Sequence, residues 1–190
     1  QETGIYLADS ASDGSFLEGT ASKDADIYGT RPATPSGAVF DTFADSYLAA
    51  SGFSAQEDVY AAYTHDAAWI AMYGYAWAHH QESEMSGTEI ARGLRRLSDQ
   101  DGEEIEVSMA NWAEVVARLS SGSPINAIGA SGDLDFDPVT EELTNPIEIW
   151  RVGVDGNGNR CFYALKTCSD AESCTESEPN EECVPSGEAQ

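Results

Sequence analysis

Several short stretches of this sequence combine residue types that can do chemistry. Gly129–Val152, GASGDLDFDPVTEELTNPIEIWRV, places Asp133, Asp135 and Asp137 on alternate positions before an apolar run. Alternating carboxylates suit a hard cation, and a serine between glycines suits a nucleophile turn. Glycine with aspartate equally suits a plain crossover. The nucleophile reading is poor, because Asp133 stands where the G-x-S-x-G elbow around Ser131 needs its last glycine. His65, His79 and His80 also all precede Ser131, which breaks the serine–acid–histidine order of that fold.

A second oxygen-rich stretch, Asp155-Gly-Asn-Gly-Asn159, opens like an EF-hand loop, but the closing glutamate is missing and Lys166 stands at position twelve. A hairpin turn accounts for it better. His79 and His80 are sequence neighbours, so on a helix they point about 100° apart and cannot chelate one ion as an H-E-x-x-H pair does. They read as solvated residues at a helix end. His65-Asp66 lies inside a long helical pattern, so one of the two must meet polar surroundings there.

Asp9 and Ser10, with Ser12 close by, follow directly on a strand-like run, Ile5–Leu7. Ligands of open α/β sheets bind outside the carboxyl ends of the strands. A carboxylate there, beside hydroxyl groups, suits an ammonium group that needs a charge-assisted partner. The plain alternative for Asp9 is a turn or cap residue.

These groups depend on the elements that carry them. Ile5–Leu7 and Asp26–Gly29 read as short strands, with Ser12 or Asp13 capping a helix around Ser15–Glu18. Pro32 and Pro35 make Gly29–Gly37 a loop. Apolar residues from Val39 to Leu48 recur at helical spacing, and Gly52 stands where a C′ glycine would. A longer stripe of small and aromatic residues from Val59 to Ala78 predicts the longest helix, closely packed against a neighbour. Ser86 with Glu89 forms a capping box, and Asn111 with Glu114 repeats the signature. Strands then follow at Ile147–Val154 and Cys161–Leu165. Strands alternating with long helices argue for an α/β fold with a largely parallel sheet.

The bulk numbers exclude some functions. The chain has 190 residues, is 41% hydrophobic and carries a formal charge of -25. That charge, without a basic stripe, argues against nucleic acid and against anionic lipid. No apolar run approaches the roughly 18 residues that span a bilayer, so no membrane insertion is expected. The four cysteines, Cys161, Cys168, Cys174 and Cys183, lack the short C-x-x-C spacing of zinc sites. Their glycine-, serine- and glutamate-rich setting suits two disulfides in an extracytoplasmic tail. Sequential pairing, Cys161–Cys168 and Cys174–Cys183, is the simplest arrangement.

The order of segments resembles the second half of the type I periplasmic binding proteins, and within these the branched-chain amino-acid receptor family of ABC transporters. The resemblance rests on Gly29–Ala76, with a G-T-x-P loop, an F-x-x-x-Y helix and an A-Y-D-A-like helix start. It continues through Glu89–Ser98 and the G-x-S-G-x-x-D-F-D pattern of Gly129–Val152. In AYTHDA the aspartate place falls to Asp66, and the cysteine tail is a departure from the family.

The resemblance implies an α/β fold of parallel-sheet lobes joined by a hinge, present here as a C-terminal portion. Residues 1–58 would belong to the second lobe and 59–128 would be helices returning to the first. Residues 129–165 would form the crossover and terminal strands, and 166–190 the acidic tail. Asp135 and Asp137 would be structural turn residues. A periplasmic or extracellular receptor is implied, binding an amino acid or similar polar ligand between its lobes and handing it to a membrane permease. Asp9 would meet the ligand's ammonium group, with Ser10, Ser12 and Asp66 as further ligand contacts. The first-lobe strands that hold the ligand carboxylate would come from the missing N-terminal half. No catalytic residue, metal or cofactor is expected.

Overall fold

The computed structural model describes residues 4–12, 14–20, 26–56, 58–169 and 172–177. It is a mixed α/β protein with two partly parallel sheets, and it divides into two compact units. The first comprises residues 1–33 and 145–190, the second residues 34–144. The boundaries expected at 58/59, 128/129 and 165/166 do not coincide with these. Pairing of the chain's two ends in one sheet, which local patterns do not reveal, sets the division.

The first unit is built on a five-stranded sheet: β1 (Ile5–Leu7), β2 (Ile27–Pro32), β6 (Ile147–Val154), β7 (Arg160–Cys168) and β8 (Cys174–Glu176), in that order. β1 and β2 are parallel; the other pairs are antiparallel. A short helix, α1 (Gly14–Gly19), follows the turn after β1, and Leu17 from it packs with Ile27, Trp150 and Phe162. Asp13, one of the two expected caps of that helix, lies outside the described residues. β2 runs on to Pro32, contrary to the loop expected from its proline. Beyond Gly29 β1 has ended, so β2 needs donors only towards β6, and a proline at the strand's last residue costs little.

The Asp155–Asn159 stretch is the β6–β7 hairpin turn. Asp155 Oδ1 accepts from the backbone N–H groups of Asn157 (2.9 Å) and Asn159 (2.7 Å), and these bonds hold its carboxyl below the usual carboxylate range. Such hairpins make the sheet mixed rather than largely parallel.

The expected cysteine pairing is corrected: Cys168 bonds to Cys174, with their Cα atoms 4.0 Å apart. They are opposed across the β7–β8 ladder. Cys161 and Cys168 share one strand, which holds them roughly 20 Å apart at about 3.3 Å per residue, beyond disulfide reach. Cys161 is itself disulfide-bonded, and Cys183 lies outside the described residues.

The second unit holds four helices and a small sheet: α2 (Ala38–Ser51), α3 (Ala61–Gln81), α4 (Gly87–Leu94), β3 (Glu103–Glu106), α5 (Trp112–Ser120), β4 (Ile125–Gly129) and β5 (Gly132–Asp133). β3 and β4 are parallel, and β5 turns back antiparallel on β4. Gly52 closes α2 in the left-handed conformation, its N–H bonded to the Leu48 carbonyl at 2.9 Å. Ser86 caps α4 by accepting from Thr88 N–H and contacting the Glu89 carboxylate. Asn111 does not cap α5; its Nδ2 donates instead to the Glu106 carbonyl at 3.0 Å.

The neighbour expected for α3 is α4, and glycines set their closeness. A Cβ on Gly93 would stand 2.7 Å from the Gly74 carbonyl oxygen, so any larger residue would force the helices apart. Beneath them Tyr73, Trp77, Leu97, Val115, Leu119, Ile125 and Leu134 form the larger core. Burial of each such side chain contributes about 1.5–3 kcal/mol. Phe40, Ala44, Ala55, Ala61, Ala62 and Ala130 form a second cluster.

Candidate functional site

The residues singled out from sequence fall into two places. Asp9, Ser10 and Ser12 share the turn that follows β1. Asp9–Ala11 is a short 3-10 turn in which Ser10 N–H donates to Asp9 Oδ1 at 2.9 Å and Ser12 Oγ donates to the Asp9 carbonyl at 2.6 Å. The Asp9 side chain is exposed. Chemically this is an accessible carboxylate at the end of a parallel strand, suited to a cation.

Asp66 belongs to the second unit, and its geometry differs. It is 1% exposed and receives four hydrogen bonds. Ala130 N–H donates to Oδ1 at 3.0 Å. Ser131 donates to Oδ2 twice, from its N–H and its Oγ, both at 2.6 Å. His65 Nδ1 lies 2.9 Å from Oδ1. Grouped with the ligand contacts from sequence, Asp66 instead has its oxygens taken by the chain's own donors.

The site is made possible by Gly129, where a Cβ would stand 2.2 Å from Asp66 Oδ2. The carboxylate thus ties the end of β4 and the Ala130–Ser131 turn to α3. Burial, followed by the charge on Asp66, pushes the Tyr63 phenol up.

Sequence reasoning noticed the His65-Asp66 pair and Ser131 separately and missed that they form one network. Ser131 is buried, and its hydroxyl faces a carboxylate rather than an imidazole. His65 Nε2, the atom a serine base would use, accepts from Trp69 Nε1 at 3.0 Å. A faint signal existed: a histidine-aspartate pair in a helix and a glycine-flanked serine each need a polar partner. Their 65-residue separation hid the pairing.

Asp137 is a turn residue, as the resemblance implied. Its Oδ1 accepts from Val139 and Thr140 N–H at 2.8 and 2.7 Å, which lowers its pKa. Asp135 leaves one buried oxygen without a partner. His79 and His80 are exposed at the end of α3. Among the described residues no group of three acidic, histidine or cysteine side chains is placed to hold a metal.

A groove of about 850 Å³ lies in the second unit between α4 and residues 136–141, with Leu94 and Phe136 among its apolar lining. Its cations are already neutralised: Arg95 contacts Glu141, and Arg92 lies 3.3 Å from Glu82. Compared with known proteins, the chain matches no family model and no curated protein.

Proposed function

We propose that the chain belongs to an extracytoplasmic solute-binding receptor of an ABC transporter, taking an amino acid or a related small polar compound. The observation that supports this reading best is the exposed carboxylate of Asp9 at the carboxyl end of β1, where α/β sheets present their ligands. Asp9 pairs with the ligand's ammonium group, and the Ser10 and Ser12 hydroxyls supply weaker polar contacts. A receptor binds without altering its ligand, and the tying of the Ser131 hydroxyl to Asp66 agrees with that. The chain's two ends building one unit, with residues 34–144 folded as another, agrees with a two-lobed receptor. The partner in this reading is a membrane permease.

Calorimetry on the full-length protein with a panel of amino acids tests the proposal. Asp9→Ala is expected to weaken the bound ligand at least about tenfold, the loss of one charge-assisted hydrogen bond. Unchanged affinity for every ligand bound would rule out the ammonium role. A second reading, a sensory or cell-surface module, draws on the Cys168–Cys174 staple at the sheet edge, which suits an exposed extracellular surface. Permease and ATPase genes beside this one would favour transport, and a kinase or surface-anchor gene would favour sensing.

A further inference from the structure

His65 stands at the join between the two apolar clusters of the second unit. Its ring lies 4.7 Å from Phe43, which packs against the Phe40 cluster, and 6.3 Å from Trp69. Trp69 in turn meets Tyr73 at 5.6 Å and Trp112 at 6.0 Å in the larger core. The ring is also polar on both sides. Nδ1 faces Asp66 and Nε2 faces the Trp69 indole.

The two partners assign the proton. A carboxylate only accepts, so Nδ1 carries the hydrogen. An indole N–H only donates, so Nε2 must present its lone pair. In its neutral form His65 is therefore held as one tautomer.

We propose that His65 is a proton-operated joint: neutral, it links Trp69 to Asp66, and protonated, it releases Trp69. A proton added at Nε2 sets two donors face to face and abolishes that bond. The Asp66 contact survives, because the imidazolium still donates to the carboxylate. The His65 side chain is 29% exposed, so its new N–H can turn to water. The Ala130–Ser131 turn thus stays tied to Asp66, while the row Trp69–Tyr73–Trp112 loses its polar anchor.

Among the described residues, the charged and titratable groups facing this site are few. On α3 they are Asp66 and Tyr63. α2 presents the Phe43 ring, backed by Tyr47, whose hydroxyl bonds Asp58 at 3.1 Å. The β4–β5 turn presents the Ser131 hydroxyl. The Trp69 N–H bonds the neutral ring alone, whereas Asp66 accepts from the ring in either state. The proposal stands independently of the receptor reading.

NMR of the full-length protein tests it, following the indole N–H signals and the His65 ring from pH 8 to pH 4. The Trp69 indole proton is expected to exchange slowly while His65 is neutral and to lose protection with the midpoint of the His65 titration. The Tyr73 ring signals should shift across the same pH range, and Trp69→Phe, which keeps a ring against Tyr73 and Trp112 but removes the donor, is expected to abolish that shift. His65→Gln should abolish the step, and His79→Gln with His80→Gln should leave it intact. A Trp69 proton that stays protected throughout overturns the proposal. So does a Tyr73 shift that persists in Trp69→Phe, and that variant decides the matter should His65→Gln fail to fold.

Discussion

Asp66 shows how much one side chain can settle. A buried carboxylate is costly unless its oxygens are filled, and here four donors fill them. Asp66→Asn keeps the shape but points an NH2 group at donors. It is expected to lower stability by about 3 kcal/mol in urea denaturation. Gly129→Ala drives a methyl group into the same carboxylate and is expected to cost about 3 kcal/mol. The two effects share one cause, so they will not add: in an Asp66→Ala background, Gly129→Ala should cost well under half as much. Equal costs in both backgrounds would mean that the contact does not govern the turn.

Among the elements, the β7–β8 ribbon is held to the edge of the five-stranded sheet by a three-residue ladder and one disulfide. So short a strand gives little cohesion of its own, and all three residues of β8 are exposed. Cross-linking a loop of this length restricts the unfolded chain by about 2 kcal/mol. Replacing Cys168 and Cys174 with serine is expected to lower unfolding stability by about that amount. Hydrogen exchange should quicken first in β8 and the outer side of β7, leaving β2 and β6 protected. Uniformly faster exchange across the sheet would show that the staple supports more than its edge.

Over the whole molecule the dominant fact is charge: 34 acidic residues against 9 lysines and arginines, a net -25. The described salt bridges engage only a minority of the carboxylates, so most of the excess repels itself across the surface. Raising monovalent salt from about 10 mM to 1 M shortens the Debye length from about 30 Å to 3 Å. The thermal midpoint is therefore expected to rise with salt in calorimetry. A midpoint that falls would show that attractive pairs such as buried Arg31–Glu148, at 2.6 Å, outweigh the net repulsion.

Local patterns in the sequence determined the helices and some of their ends, though not the start of α5, where Asn111 bonds the Glu106 carbonyl instead of capping. The capping serine of α4, the glycine closing α2 and the small-residue stripe of α3 all act within a few residues or along one face. The same holds for β1, β6 and the Asp155 turn, whose hydrogen bonds close within five residues. Only the tertiary structure decided which strands pair, that Cys168 meets Cys174, and that Asp66, His65 and Ser131 make one network. Those outcomes depend on contacts between residues far apart in the chain or on strand register. A pattern of residue types carries no distance information across such separations, so burial and hydrogen-bond satisfaction in the folded core select the partner.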